Sequence, residues 1–519
     1  MIPVVRGVGN LSLESTLSNM RDVLILTTSS ITYGRPFGFR FRSGRQASMP
    51  SSSVKIRRQC LWIATLLVLG WSFGLCQSAT AEVPKLPHAK PEEVGMSAAH
   101  LNNIDAVVTE GLKIGRMPGC VVMVGRQGRI VFEKAYGQRA VSPEPEPMTV
   151  DTVFDMASIT KPLATATSIM LLIERGDLRL RDKVSYYIPE FSKNGKQDVT
   201  IYQLLTHQSG FIPDNADADY LQGPETAFQK IFALTPQSPP GTKFIYSDVG
   251  FIVLGELVKR LSGQNLHEFS QEQIYQPLGM TETTYLPGKE LVPRIAPTEQ
   301  RKGKWLRGQV HDPRAEYLGG VAGHAGLFST AQDLAVYCQM MLNRGTYANV
   351  RILSPRGVSV MTDTYNSGTS LRGLGWDKLS TFSTNRGELF TESAYGHSGF
   401  TGTSLWIDPG LDLFVIVLSN RVHPDGKGLI NPVSGRIGTI AAAAILDMPA
   451  PTSTPRAPQP VQQEEPANSG SNAADVASED TSQPAVKTGD VAPPPPGTVP
   501  ATGAIRGNSR PLFNRRSGR

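Results

Sequence analysis

A serine and a lysine three residues apart, Ser158 and Lys161, stand in the run Phe154-Asp155-Met156-Ala157-Ser158-Ile159-Thr160-Lys161-Pro162 and are spaced for nucleophilic chemistry. A hydroxyl attacks well only when a neighbouring group takes its proton, and residues three apart on a helix share a face. Proline is tolerated in the first turn of a helix and damaging further in, so Pro162 sets Ser158 at the helix start. Leu163, Ala166, Met170 and Ile173 then recur with helical spacing until Gly176 supplies a cap, which predicts one helix over 158–175. Orphan amides and the positive dipole end at its start favour negative charge developing on the Ser158 oxygen. Lys161, its pKa lowered by burial, is expected to take the serine proton. The spacing by itself is common: Ser52 and Lys55 repeat it in a segment unsuited to catalysis.

The pair must be held by the middle of the chain. Ser97 caps a helix with Leu101, Ile104, Val107 and Val108 on one side, and Cys120-Val121-Val122-Met123-Val124 with Ile130-Val131-Phe132 reads as an antiparallel hairpin across Gly125–Arg129. After the serine helix, Thr200–Gly210 suggests a short helix closing on glycine; His207 within it is read as a structural hydrogen-bonding residue, since no partner stands at metal-ligand spacing. Tyr246 lies on a turn just before an apolar helix through Leu254, Leu257, Val258 and Leu261. Gly319–Gly326 lacks the ending of a phosphate loop and reads as a close-packed turn, leading to a Ser329 or Thr330 cap and a helix through Met341. The last third reads as sheet: Tyr395–Gly399, Thr403–Ile407, a turn at Asp408-Pro409-Gly410, and Leu413–Leu418, with Ile437–Leu446 as a covering helix. The expected class is α+β, an antiparallel sheet flanked by helices with an inserted helical region.

The ends differ from this middle. Residues 1–48 show no sustained periodicity and read as disordered or as an over-extended gene start. In residues 49–81, Lys55, Arg57 and Arg58 precede an apolar run from Cys60 to Cys76 and the small residues Ala79-Thr80-Ala81, the pattern of a secretory signal peptide. That implies an exported protein, periplasmic or secreted, held at a membrane only if the segment stays uncleaved. Residues 450–519 are rich in Pro, Ala and Ser and are read as a disordered tail, leaving 82–449 as one catalytic domain. Lys plus Arg against Asp plus Glu run 9 against 2 in residues 1–81, 35 against 37 in 82–449 and 7 against 6 in 450–519. The net charge of +6 therefore belongs to the ends, and no nucleic-acid face is implied. Cys120 and Cys338, the cysteines of the middle, are read as two separate buried thiols.

Ser158-x-x-Lys161, then Tyr246-Ser247-Asp248, then His397-Ser398-Gly399 ahead of two final strands resembles the serine β-lactamase and penicillin-binding protein family. The similarity is to its class C-like branch, which includes esterases and D-amino-acid peptidases, and it covers roughly 92–447. The resemblance implies a β-lactamase/transpeptidase-like fold in which Ser158 is acylated, Lys161 is its base partner and Tyr246 carries protons. It places an oxyanion hole at the amides of Ser158 and Phe400, with His397, Ser398, Gly399 and Asp248 lining the substrate site. No metal or organic cofactor is implied. Lys487-Thr488-Gly489 and Tyr347-Ala348-Asn349 match family motifs by letter and are rejected by context. Two letters depart from the family's habit, Asp248 for Asn and His397 for Lys. A neutral imidazole weakens the anchor for a substrate carboxylate, and Arg314 is the nearest candidate for a substitute charge. The reading is a carboxylesterase acting on a small ester or amide. The alternatives are a β-lactamase or D-alanyl/D-amino-acid peptidase on cell-wall-type peptide, or an inactive module that binds cell wall or a partner protein.

Overall fold

The structure, a computed structural model, describes residues 83–447. The gene start, the signal segment, the tail and Lys487-Thr488-Gly489 lie outside the described residues. The described chain falls into two compact units. The small one contains 83–85 and 277–279, where Gly279 turns at φ 67° against Val83. The large one contains 86–276 and everything described from 280 onward.

The frame of the large unit is a nine-stranded antiparallel sheet. Strands β1 (Gly119–Arg126) and β2 (Arg129–Ala140) are the expected hairpin, closed by Gln127 and Gly128 with φ of 51° and 74°. Positive φ at both loop residues gives the turn whose twist matches that of the strands it joins. After β3 (Glu146–Pro147), the remaining strands come from the last third: β4 (Tyr365–Ser367), β5 (Ser370–Arg372), β6 (Asp377–Leu379), β7 (Tyr395–Gly399), β8 (Thr403–Asp408) and β9 (Leu413–Ser419). The spatial order is β4-β5-β6-β7-β8-β9-β1-β2-β3, so the two ends of the domain meet where β9 pairs with β1 and Val417 faces Val122.

Five helices complete the site's support: α1 (Asn103–Lys113), α2 (Thr167–Arg175), α3 (Asp248–Ser262), α4 (Ala331–Leu342) and α5 (Asn431–Ala443). Every residue of β1 is buried, as a strand covered on both faces must be. On one face Cys120, Val122 and Val124 pack with Ile104, Val107 and Val108 of α1 and Val433, Ile437 and Ala441 of α5. Each of these valines and isoleucines contributes about 1.5–3 kcal/mol through burial. On the other face α4 crosses β9 and β1, capped by the Thr330 hydroxyl, which accepts from the Asp333 amide. Most of the inserted helices lie between β3 and β4 in sequence. This is the α+β architecture expected, a helix-flanked antiparallel sheet.

Two helix boundaries differ from expectation. The segment 158–175 is not one regular helix: a 3₁₀ turn (Ala157–Ile159) gives way to a π-helical stretch (Lys161–Ala166) and only then to α2. The Thr167 hydroxyl donates to the Pro162 carbonyl five residues back, at 2.9 Å, which supports the wider turn. Apolar periodicity does not distinguish these windings. The covering helix begins at Asn431 rather than Ile437, because Pro432 suits a first turn and the glycines at 435 and 438 hide the period. Cys120 and Cys338 are both buried free thiols, and burial pushes that of Cys120 up to about 12. Tyr347 and Asn349 sit at a small hairpin turn between Thr346–Tyr347 and Val350–Arg351. Among the described residues no helix is long and apolar enough to cross a membrane.

Candidate active site

The nucleophile candidate sits on a constrained turn. Ala157, just before Ser158, has φ 44°, a conformation that costs a residue with a β-carbon about 1–3 kcal/mol unless its surroundings enforce it. Here they do. The Asp155 carboxylate accepts from the Ala157 amide at 2.8 Å and, through its other oxygen, from the His311 amide at 2.7 Å. From the sheet, the hydroxyls of Thr401 and Thr403 donate to the carbonyls of Asp155 and Met156 at 2.7 and 3.1 Å. Gly399, the last residue of β7, lies so close that a β-carbon would fall 2.4 Å from the Met156 carbonyl oxygen. The end of β7 is thereby pressed against the serine turn, with Phe400 next in the chain. Asp155 carried no signal in the sequence beyond its place in the motif.

Lys161, 0% exposed, points back to the serine: its Nζ is 2.8 Å from Ser158 Oγ, 3.1 Å from the His324 carbonyl oxygen and 2.6 Å from Asp248 Oδ1. The ammonium donates hydrogen bonds to the first two and meets the third as an ion pair. Burial alone would depress the lysine's pKa; the Asp248 carboxylate, followed by the Tyr246 hydroxyl, reverses this, and the net shift is upward. The expectation of a lysine made basic by burial is therefore corrected. Asp248, at the start of α3 beyond the Ser247 cap, holds it as a cation.

Tyr246 approaches from the α3 side. Its hydroxyl interacts with Ser158 and Lys161, and the ammonium lies 5.0 Å from its ring centroid. Burial raises the phenol's pKa, while Lys161 pulls the other way. His207 stacks on the tyrosine at 4.4 Å between centroids, and its Nδ1 accepts from the Ser247 amide at 3.0 Å, so it orders the Tyr246–Asp248 turn as a structural residue. His397 on β7 lies 6.1 Å from Tyr246, ring to ring, and its Nδ1 donates to the Ser398 carbonyl at 2.8 Å. It is 4% exposed, and burial, Arg372 and Lys161 together hold it well below its usual pKa.

Arg372, at the end of β5, was not singled out by its sequence. It is 0% exposed, paired at 2.9 Å with Asp377 of β6, with its guanidinium 5.5 Å from the Phe244 ring. Arg314 is no substitute anchor. Its guanidinium is 3.2 Å from Asp217 and donates to the Asn215 carbonyl at 2.8 Å. His324, inside the glycine turn, bonds Asp312 Oδ1 through Nε2 at 2.8 Å, and the carboxylate is held low by that imidazole despite burial. Asp248, Asp312 and His324 offer ligand atoms within 4.8 Å of one another. A cation already stands there, since the Lys161 ammonium occupies Asp248. Asp312 could have been noticed as the cap preceding Pro313; His324 had no such signal.

Ser158, Lys161, Tyr246 and Asp248 thus meet one another, and β7 brings His397 to Tyr246 and Gly399 to the turn that carries Ser158. Phe400 is 60% exposed, backed by His311 at 5.4 Å and by the Arg421 guanidinium at 4.3 Å. The arrangement can polarise a serine hydroxyl and pass its proton to a phenol oxygen.

Residues 104–436 match the family described as Beta-lactamase. A protein of Escherichia coli (strain K12) named "Putative D-alanyl-D-alanine carboxypeptidase" is 34% identical over 396 residues, covering 69% of this chain and 91% of its own length. The N-acetylmuramyl-L-alanine amidase of Bacillus subtilis (strain 168) is 32% identical over 377 residues, covering 66% and 85%. Among solved structures, a penicillin-binding protein homologue from Caulobacter crescentus aligns with TM-score 0.55 at 22% identity, covering 67% of this chain and 99% of its own. A family VIII carboxylesterase aligns with TM-score 0.54 at 22% identity, over the same shares. These two establish the fold alone.

Proposed function

Since this chain belongs to the beta-lactamase family and is a serine hydrolase, we propose that it is an exported enzyme that acylates Ser158 with esters or internal amides whose leaving groups carry no carboxylate beside the scissile bond. One observation carries this: the β7 position that the resemblance gives to a cationic Lys holds a buried, neutral His397, and Arg372 and Arg314 are each paired with an aspartate. A carboxylesterase activity fits first. The Bacillus relative favours a second reading, a muramyl-type amide, whose nitrogen belongs to an internal peptide rather than to a terminal amino acid.

The step is written from the contacts. Ser158 Oγ receives a hydrogen bond from Lys161, which leaves the serine's own proton directed to Tyr246. As the Oγ–carbonyl bond forms, that proton passes to the Tyr246 oxygen in its phenolate form, which the Lys161 charge stabilises. The amides of Ser158 and Phe400 receive the oxyanion. Tyr246 then gives the proton to the departing oxygen or nitrogen as its bond to carbon breaks. Water repeats the sequence on the acyl-enzyme. Export rests on the signal-like segment of residues 49–81.

The test compares kcat/KM for p-nitrophenyl acetate and a muramyl dipeptide with a cephalosporin and an acyl-D-alanyl-D-alanine peptide. Loss of a charge-assisted hydrogen bond is worth roughly 10- to 100-fold, the margin expected in favour of the first two substrates. A cephalosporin or D-alanyl peptide turned over faster than both overturns the proposal.

A further inference from the structure

Phe382 stands in the turn that follows β6 and is 44% exposed, an unusual placement for a phenylalanine this close to a catalytic cluster. Its ring packs on Tyr246 at 4.8 Å between centroids, inclined by 36°, and meets Phe244 edge-on at 6.3 Å. Those contacts cover one side of the ring and leave the rest toward solvent. The tyrosine beneath is the group assigned to protonate the leaving group, so Phe382 overhangs the leaving-group side of the cleft.

The turn is tied at its base. Ser383 Oγ donates to Asp377 Oδ2 at 2.7 Å, and the other oxygen of Asp377 is the one paired with Arg372. Ser383 Oγ also accepts from the Ser380 amide at 2.8 Å, and the Phe382 amide donates to Ser380 Oγ at 3.1 Å. Beyond it, Asn385 Oδ1 accepts from the Trp406 indole at 3.1 Å. A fully buried arginine inside a sheet is costly unless something requires it. Here it orients the aspartate that holds the turn, and it lies against Phe244, which in turn touches Phe382.

We propose that Phe382 is the specificity residue for the leaving group, selecting alcohols or amines with a flat apolar face and keeping water from Tyr246, and that the Arg372–Asp377–Ser383 chain positions it. The inference rests on the hydrolase reading above and names the class of leaving group that reading takes. Phenyl and ethyl acetate share an acyl group and differ only on the leaving side. In Phe382→Ala the preference for phenyl over ethyl acetate falls about 3- to 10-fold, the scale of one lost aromatic contact. The ratio of p-nitrophenyl butyrate to p-nitrophenyl acetate, which reads the acyl side, stays put. Phe382→Tyr restores the aryl preference. Ser383→Ala, which takes the hydroxyl from the buried Asp377 carboxylate, loses an intermediate part of it through a looser turn. Because Tyr246 becomes wetter in Phe382→Ala, the rise of kcat/KM with pH that its ionisation produces moves to lower pH, a shift that a merely structural role would not produce.

A folded Phe382→Ala, by circular dichroism and melting, with an unchanged phenyl-to-ethyl ratio overturns the proposal while the hydrolase reading stands. An equal fall in both leaving-group and acyl-side ratios overturns it too, since the defect is then general. A wild-type protein that hydrolyses neither acetate nor the muramyl dipeptide overturns both.

Discussion

Asp248→Asn removes the charge that pins Lys161 while keeping an amide oxygen in roughly the same place. Lys161 is fully buried, and Asp248 is 2.6 Å from its ammonium with 18% of its own side chain exposed. Taking one partner from a buried ion pair costs about 3–5 kcal/mol, because the other charge is left uncompensated. The partial exposure of Asp248 and the remaining amide oxygen place the expected loss near the lower end, about 3 kcal/mol at pH 7. A melting midpoint lower by up to about 6–12 °C follows, at the roughly 2–4 °C per kcal/mol of a domain of 150–250 residues. The pH dependence separates this cause from simple misfit. In the native protein the lysine's pKa is raised above its ordinary 10.5, so its stabilisation is complete below 10.5 and is lost only as pH climbs through the raised value. In the variant burial acts without the carboxylate and pulls the pKa below 10.5. The penalty is full below that depressed value and fades as pH approaches 10.5, because the folded lysine sheds its proton. The deficit in midpoint therefore narrows from pH 7 to pH 10 without closing. Differential scanning fluorimetry across that range measures it, and a deficit constant from pH 6 to 10 refutes the assignment of Asp248 as the charge that holds Lys161.

Ser158→Ala abolishes labelling by a fluorophosphonate probe and all turnover with the melting midpoint kept within about 2 °C, since a half-buried hydroxyl is all that is lost; labelling that survives, read by intact mass, removes Ser158 from its role. Wild-type kcat/KM for p-nitrophenyl acetate climbs with pH between 7 and 9, by up to about tenfold per unit, because burial holds the Tyr246 phenol above its ordinary 10.0 and the phenolate fraction grows throughout; a flat profile means that a group other than Tyr246 takes the proton. A chain truncated to residues 82–449 retains full activity, as the composition of both ends supplies no core; a drop beyond about twofold shows that an end contributes to the fold or the site.

The chemistry-bearing residues were legible because each stands where local rules meet a motif. Pro162 placed Ser158 at a helix start, the apolar helix through Leu254 put Tyr246 on the turn just ahead of α3, and the run from Tyr395 to Gly399 formed the strand that carries His397. What could not be read was what those residues touch across the chain. Lys161 looked like a base because burial is predictable from sequence and an ion pair with Asp248, 87 positions on, is not. Arg372 resembled any surface arginine, yet β5 and β6 bring it opposite Asp377 inside the sheet. The π-helical stretch after Ser158 has the same apolar spacing as a helix, and the Thr167 bond that supports it depends on tertiary room. Phe382 carried no motif or periodic signal, and its contact with Tyr246 is made only in the fold.

The two departures from the family's habitual letters act in the same direction. Asp248 for a neutral Asn and His397 for a cationic Lys each make the cleft one unit more negative than the resemblance implies, and His397 is kept neutral by burial and by Arg372. Asp214 adds to this, since its raised pKa comes from burial and then from the nearby Asp248 carboxylate. Lys161 and Asp248 cancel, as do Arg372 and Asp377, so these ion pairs add no net positive charge to draw in an anion. An anionic β-lactam then approaches against the field, whereas an uncharged ester does not feel it. Screening supplies the test, because the Debye length shrinks from about 30 Å at 0.01 M salt to about 10 Å at 0.1 M. Raising NaCl from 0.01 to 0.3 M increases kcat/KM for a cephalosporin by about 2- to 5-fold, the reverse of electrostatic steering, and leaves p-nitrophenyl acetate unchanged. A cephalosporin rate that instead falls with salt reveals a net cation in the cleft, and the argument from His397 and Asp248 against carboxylate-bearing substrates fails with it.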